Sequence, residues 1–240
     1  MAEWLLVLTT AGRLKWLAEA IATLRASPEE LEVLVVDDGS PPEIGIGAFC
    51  KEKELKLITK DKASGVTDSW NRAYNFFRQN GYKACIICND DVRFPQDCWR
   101  GLVWGVHKRG YNLLVPLSNG PGDGKAQQIR KFLKVKPSTK NIDHIQEALL
   151  KKFHGKHKWT SCSYFNGFCF AVGPSIEKFK FSGKFLFDPK KKNRGNEIDL
   201  VRRIKARGGK IGMSMVSYVF HWKYGTYRYL KLKHRDQNWR

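Results

Sequence analysis

Short apolar runs that each stop at a cluster of polar residues constrain this chain more than any other feature. Residues 4–9 (WLLVLT) stop at Thr9–Thr10, residues 31–36 (LEVLVV) run into DDGSPP, and residues 84–88 (ACIIC) run into Asn89–Asp90–Asp91. A further run, LKLIT, covers 55–59. Leu14, Leu17, Ile21 and Leu24 recur at helical spacing over 13–25, as do Val66, Trp70, Ala73, Tyr74 and Phe77 over 66–79. Strand–helix alternation of this kind predicts an α/β fold with a mostly parallel central sheet and helices on both faces. Ligands of such sheets sit beyond the carboxyl ends of the strands. The polar clusters therefore mark where a ligand belongs.

The second half is less regular. A strand is expected over 111–117, a flexible loop over 118–125, a short helix over 141–153 and an aromatic strand over 164–172. Residues 197–207 read as a helix capped by Gly208–Gly209. A last strand, 211–220, ends at His221, and a basic, aromatic tail follows from Tyr227. With 240 residues, no internal repeat and no low-complexity linker, one continuous domain is expected, divided near residue 118. No apolar run approaches the roughly 18 residues of a membrane span, and no signal segment opens the chain. Six cysteines are too few for a disulfide scaffold. The expectation is a soluble protein of the reducing cytoplasm.

Charge separates the halves. Residues 1–120 hold 15 basic and 15 acidic side chains, whereas 121–240 hold 28 basic and only 8 acidic ones, so the whole net charge of +20 lies in the second half. Such asymmetry points to an anionic partner or surface rather than to solubility alone.

The strand-end carboxylates carry the chemistry. Asp90 and Asp91 are adjacent, as are Asp37 and Asp38, and neighbouring carboxylates repel unless a cation is near. A hard divalent ion takes one or two such oxygens together with substrate phosphates. The structural alternative is a polar strand end that caps a helix. Neutral imidazole is a common metal ligand, so His221 joins the candidates, although a single histidine is more often structural. Glu197 and Asp199 lie two apart in a half with few acids. A carboxylate in a basic neighbourhood stays ionised and suits general-base work, while the alternative is a pair of helix N-terminal acids facing the macrodipole. Cys85 and Cys88 form a lone CxxC inside an apolar strand and read as core. There is neither a GxxxxGK[ST] loop nor a GxGxxG after the first strand, which excludes a P-loop and disfavours a dinucleotide fold.

Taken in order, the segments VLTTAGR (7–13), VLVVDDGS (33–40), SGVTDSWNRA (64–73), CNDDVRFP (88–95), FNGFCFAVGP (165–174), FLFDP (185–189), GNEIDLVRRIKARGGKI (195–211) and FHWKYGT (220–226) resemble the inverting, family 2-type glycosyltransferases of GT-A fold. The resemblance implies a single GT-A domain, Rossmann-like, with a nucleotide-sugar half at 1–118, an acceptor half at 119–226 and a basic tail at 227–240. It implies that Thr9, Asp38, Gly65, Asn71 and Asp90 serve the nucleotide-sugar donor, and that Asp91 and His221 hold Mn2+ or Mg2+. It places the base at Glu197 and a second acid at Asp199. Two departures stand out. Glu197 is one carbon longer than the family's usual Asp, with Asn196 where a Glu is usual, so either Glu197 or Asp199 can be the base. The metal motif is Asn-Asp-Asp rather than Asp-x-Asp, so Asn89 offers no charged ligand.

The resemblance further implies a UDP-sugar donor and a glycan or glycoconjugate acceptor. Lys190–Lys191–Lys192 and Arg194 would suit an anionic acceptor or peripheral contact with a membrane surface. Trp159, Tyr164, Phe165 and Trp222 are candidate sugar-stacking faces or, alternatively, core. A basic nucleic-acid-binding protein would explain the tail but leave the acidic strand ends without a role, so no nucleic acid is expected. A nucleotidyltransferase on a related sheet is a further alternative, with Thr9–Thr10–Ala11–Gly12–Arg13 as its thin match.

Overall fold

The computed structural model describes residues 2–26, 29–122, 124–156, 158–192 and 195–222. Arg194 and the tail from Tyr227 lie outside them. The first half builds β1 (Trp4–Thr10), α1 (Leu14–Thr23), β2 (Leu31–Asp37), α2 (Ile46–Glu52), β3 (Lys56–Thr59), α3 (Val66–Gln79) and β4 (Ala84–Asn89). The chain continues with β5 (Val92–Arg93), α4 (Arg100–Lys108), β6 (Leu113–Leu117), α5 (Ile142–Lys152), β7 (Trp159–Ser161), β8 (Cys169–Val172), α6 (Asn196–Ala206), β9 (Ile211–Tyr218) and β10 (Phe220–His221).

Eight strands form the main sheet in the order β3-β2-β1-β4-β8-β6-β9-β7. The β3-β2-β1-β4 portion is parallel. β8 runs antiparallel between β4 and β6, β9 is parallel to β6, and β7 closes the edge antiparallel to β9. This is the expected α/β fold with a mixed, mostly parallel sheet. The carboxyl ends of β1, β2, β4, β6 and β9 consequently share one edge, and β8 enters the sheet at that same edge.

Strand periodicity divides the core. Leu5 and Val7 of β1 face one way and pack with Trp70, Ala73, Tyr74 and Phe77 of α3. Leu6 and Leu8 face the other way and pack with Leu17 and Ala20 of α1 and Leu102, Val103 and Val106 of α4. Each fully buried Leu or Val contributes about 1.5–3 kcal/mol of transfer free energy. Burial on both faces explains why these strands read as continuous apolar runs.

Several elements escape the sequence pattern. α4 contains Gly101 and Gly105, poor helix formers, yet they are the reason it packs. A Cβ on Gly105 would lie 2.1 Å from Leu114 Cδ1, so only glycine lets the helix approach the sheet this closely. The aromatic strand expected over 164–172 shortens to Cys169–Val172, because Asn166 N instead donates to Gln127 Oε1 at 3.1 Å. The expected strand 211–220 breaks after Tyr218. Val219 N still reaches Leu117 O at 2.9 Å, and the chain then crosses to β5, pairing His221 with Val92. That crossover delivers His221 to the end of β4.

Candidate active site

Residues 9–13, 37–40, 60–71, 89–91 and 119–120, with His221, converge where the strands end. Thr10 Oγ1 donates to Asp90 Oδ2 at 2.7 Å, and Arg13 Nε donates to the same oxygen at 3.1 Å. Arg13 Nη2 takes the other oxygen of Asp90. Asp90 is 0% exposed and Arg13 only 5%. Burial pushes the Asp90 carboxyl up to about 7, with the Arg13 charge opposing and the Asp91 charge assisting.

Asp91 turns toward His221. Its Oδ1 lies 3.5 Å from His221 Nε2, while Arg13 Nη1 approaches Oδ2 at 3.8 Å. Burial alone would raise Asp91, but the His221 ring and the Arg13 guanidinium outweigh it and hold the carboxyl below the usual range. The imidazole is locked. Its Nδ1 sits 2.7 Å from Gly120 O, its ring stacks on Phe168 at 4.5 Å between centroids, and Asn119 bonds its backbone N and O. Trp222 N donates to Asp91 O at 3.0 Å, tying the two strand ends together.

Metal fit rests on an orphaned atom. Asp91 Oδ1 is buried and has no hydrogen-bond donor among the described residues, because 3.5 Å exceeds a charge-assisted bond. An imidazole nitrogen and a carboxylate oxygen at this spacing suit neighbouring positions around one ion, whose ligand distances of about 2.0–2.1 Å put adjacent donors roughly 3 Å apart. Among the described residues no cluster of three or more His, Cys, Asp or Glu side chains suits a metal. Among the described residues Asp91 and His221 thus offer a pair of donors, which would fit an ion that keeps waters and substrate phosphates as its other ligands.

The remaining candidates hold loops. Thr9 Oγ1 donates to Cys88 O at 3.2 Å across β1 and β4. Asp38 accepts from Ser64 N at 2.8 Å and Gly65 N at 3.1 Å, and Lys60 Nζ lies 2.5 Å from its Oδ1. Gly65 precedes α3 at φ 92°, a backbone conformation open to glycine. Asn71 donates to Phe187 O at 3.0 Å and accepts from Phe187 N at 2.9 Å, anchoring the FLFDP turn to α3. Asp37 is buried and binds Ser40, whose Oγ accepts from Gly12 N at 2.7 Å.

Glu197 and Asp199 separate on the first turn of α6. Asp199 Oδ2 accepts from Arg203 Nε at 3.0 Å and Nη2 at 2.8 Å, and Arg203 also binds Leu186 O and Phe179 O. Glu197 is half-buried against Gly167, where an added Cβ would lie 3.0 Å from its Oε1 and 2.2 Å from Trp70 Cη2. Asn196 beside it is buried and bonds Thr67 Oγ1 at 2.6 Å.

Of the aromatic candidates, Phe165 is core, and Trp159 is half-buried with its indole donating to Gly101 O. Trp222 is 41% exposed and meets Trp16 edge-on at 5.5 Å. A cavity of about 390 Å3 lined by Tyr111, Ser161, Cys162, Lys205 and Ile211 opens at the start of β9, away from these side chains. Sequence reasoning missed Arg13, Lys60 and Gly120 as parts of the site. Arg13 carried a readable signal, a cation in the loop after β1, whereas Gly120 contributes only a backbone carbonyl.

Solved structures share this architecture. GalNAc-T7 with UDP, GalNAc and Mn2+ matches with a TM-score of 0.67 at 16% identity, covering 92% of this chain and 44% of that one. The mannosyltransferase PcManGT from Pyrobaculum calidifontis, in complex with GDP-Man and Mn2+, matches with a TM-score of 0.61 at 15% identity, covering 97% and 61%. The chain thus spans about half the length of these GT-A-like neighbours. No curated protein sequence matches it. The profile of glycosyl transferase family 2 matches residues 6–172, from β1 through the Asn89–Asp90–Asp91 strand end to β8. With well over half of its length matched, the chain belongs to glycosyl transferase family 2.

Proposed function

We propose that this protein is a metal-dependent, inverting glycosyltransferase that moves a sugar from a nucleotide-diphosphosugar, UDP-linked in the first instance, to a hydroxyl of a glycan or glycoconjugate. The observation that carries this reading is the buried Oδ1 of Asp91, without a hydrogen-bond donor among the described residues, facing Nε2 of His221 at 3.5 Å. Asp91 and His221 would hold Mn2+ or Mg2+, which when bound offsets the charge that grows on the departing diphosphate.

The protein's own residues supply the rest. Glu197 is the base. It takes the proton of the acceptor hydroxyl, which attacks the anomeric carbon from the face opposite the diphosphate, so configuration inverts. Asp199 is ranked below it because its Oδ2 is committed to Arg203. Thr9, Asp38, Gly65, Asn71 and Asp90 form the donor side, and their contacts support a role in holding the loops that frame the nucleotide. The acceptor is taken to be anionic. Lys191 Nζ lies 4.0 Å from the Cβ position of Gly195, next to the base, which supports a positive field there. Six free cysteines support a reducing, cytoplasmic compartment, and no helix among the described residues is long and apolar enough to cross a membrane.

Thermal unfolding with UDP, GDP, TDP and CMP, each with Mn2+ and with EDTA, tests the reading. A ligand at about 100 times its Kd stabilises by roughly 2.7 kcal/mol. A shift for one nucleotide that EDTA abolishes is expected; no shift with any of them would overturn the donor assignment.

A further inference from the structure

We infer that Arg13 is a built-in counter-cation that withdraws Asp90 from the metal and makes metal retention depend on the nucleotide diphosphate. The inference rests on the metal-centred reading above.

The acidic pair at the end of β4 is not symmetrical. Both oxygens of Asp90 are consumed, by Thr10 at 2.7 Å and by Nε and Nη2 of Arg13. Asp91 keeps Oδ1 free of any hydrogen-bond donor among the described residues and turns it toward His221. Arg13 therefore sorts two adjacent carboxylates into one structural anion and one available ligand. Its remaining nitrogen, Nη1, is buried without a hydrogen-bond acceptor among the described residues and lies 3.8 Å from Asp91 Oδ2, so the guanidinium spans the gap between the two acids.

The donor count gives the consequence. With both oxygens of Asp90 held by Thr10 and Arg13, Asp91 Oδ1 and His221 Nε2 are the protein donors left at this strand end among the described residues. The His221 ring is held in place through Nδ1 at the Gly120 carbonyl. A divalent ion thus meets two protein donors. That is a weak site for the free ion, completed when the diphosphate brings its own oxygens. The loop keeps Arg13 in place, since Gly12 N is held by Ser40 Oγ at 2.7 Å and Ser40 by Asp37. Arg13 is a positioning residue here, acting on the metal through Asp90.

Mn2+ titration of the full-length protein, followed by the paramagnetic signal of free Mn2+ with and without UDP or GDP, tests this. The wild type is expected to take up Mn2+ weakly alone and much more tightly with its nucleotide. R13M frees Asp90 and is expected to bind Mn2+ alone about tenfold or more tightly, the order by which one neighbouring charge moves a carboxylate's proton affinity. Removing one partner of a buried pair is destabilising, so the charge-neutral R13M/D90N variant provides a second route, with an expected Mn2+ affinity like that of the wild type. A folded R13M protein with unchanged Mn2+ affinity overturns the inference alone, as does loss of Mn2+ uptake in folded R13M/D90N. Failure of the wild type to take up Mn2+ with any nucleotide overturns the metal-centred reading and this inference with it.

Discussion

Nδ1 of His221 lies 2.7 Å from the carbonyl oxygen of Gly120. A carbonyl can only accept, so Nδ1 donates there and Nε2 is the nitrogen turned toward Asp91. The loop after β6, through one backbone oxygen, thereby fixes the orientation of a side chain delivered by β10. Backbone partners of this kind commonly orient metal-binding histidines.

Replacing His221 or Asp91 should therefore abolish the part of nucleotide binding that depends on metal. H221A and D91N are expected to retain the fold and to lose the Mn2+-dependent rise in melting temperature, leaving the EDTA baseline. Persistence of the full Mn2+ effect in both variants would remove these residues from the metal.

The two acids of α6 should behave differently. E197Q is expected to bind nucleotide as the wild type does and to lose transfer by about 10²–10⁴-fold, the scale of a general base. D199N removes the charge behind two hydrogen bonds from Arg203 and is expected to cost stability, about 1–2 kcal/mol, with a smaller loss of transfer. Urea melts and single-turnover rates of both variants check this, and the reverse pattern would exchange the assignments.

Asn71 closes two bonds with the backbone of Phe187 while itself buried. N71A leaves a buried N–H and a buried C=O without partners, at about 1–3 kcal/mol each. The urea midpoint should fall with the slope unchanged; an unchanged midpoint would show the FLFDP turn to be held by other contacts.

Gly167 has no room for a side chain, because an added Cβ would stand 2.2 Å from Trp70 Cη2 and 3.0 Å from Glu197 Oε1. G167A should cost about 1–3 kcal/mol by overpacking and depress kcat more than donor affinity, since Glu197 is displaced. Steady-state kinetics that show a change only in donor KM would contradict this.

Acid should weaken the loop before α3. Burial would raise the Asp68 carboxyl, but Ser64, Arg72 and Lys60 outweigh it and hold it below the ordinary value. A depressed folded pKa stabilises above the unfolded value of about 3.9 and is lost as pH falls through the folded one. The stability gap between wild type and D68N should thus be present at neutral pH and narrow below about pH 4. A gap that stays constant down to pH 2 would show that the charge on Asp68 carries no stability.

The legible parts of the molecule were those encoded locally. The runs at 4–9, 31–36 and 84–88 became β1, β2 and β4, and helical spacing over 66–79 became α3 with the same bounds. α2 and α4 were hidden by glycines and a preceding proline pair, because propensity counts what a glycine costs a helix and not what its missing side chain lets pack. The acidic pair was visible as a pair, and the family resemblance gave Asp90 to the donor and Asp91 to the metal; that Thr10 and Arg13 hold both oxygens of Asp90 was not visible, since it depends on where a flexible Arg13 side chain comes to rest.

Apolar periodicity and the polar residues at strand ends were enough to establish a mostly parallel α/β sheet and the edge at which chemistry belongs, because burial on both faces writes itself into consecutive residues. Which side chains meet at that edge was decided by long-range pairing. β8 enters antiparallel between β4 and β6, and the chain leaves β9 for β5 after Tyr218. His221 is carried across 130 positions of sequence to Asp91 in this way. No local pattern records such a crossing, because its free energy comes from contacts that exist only once both partners are in place.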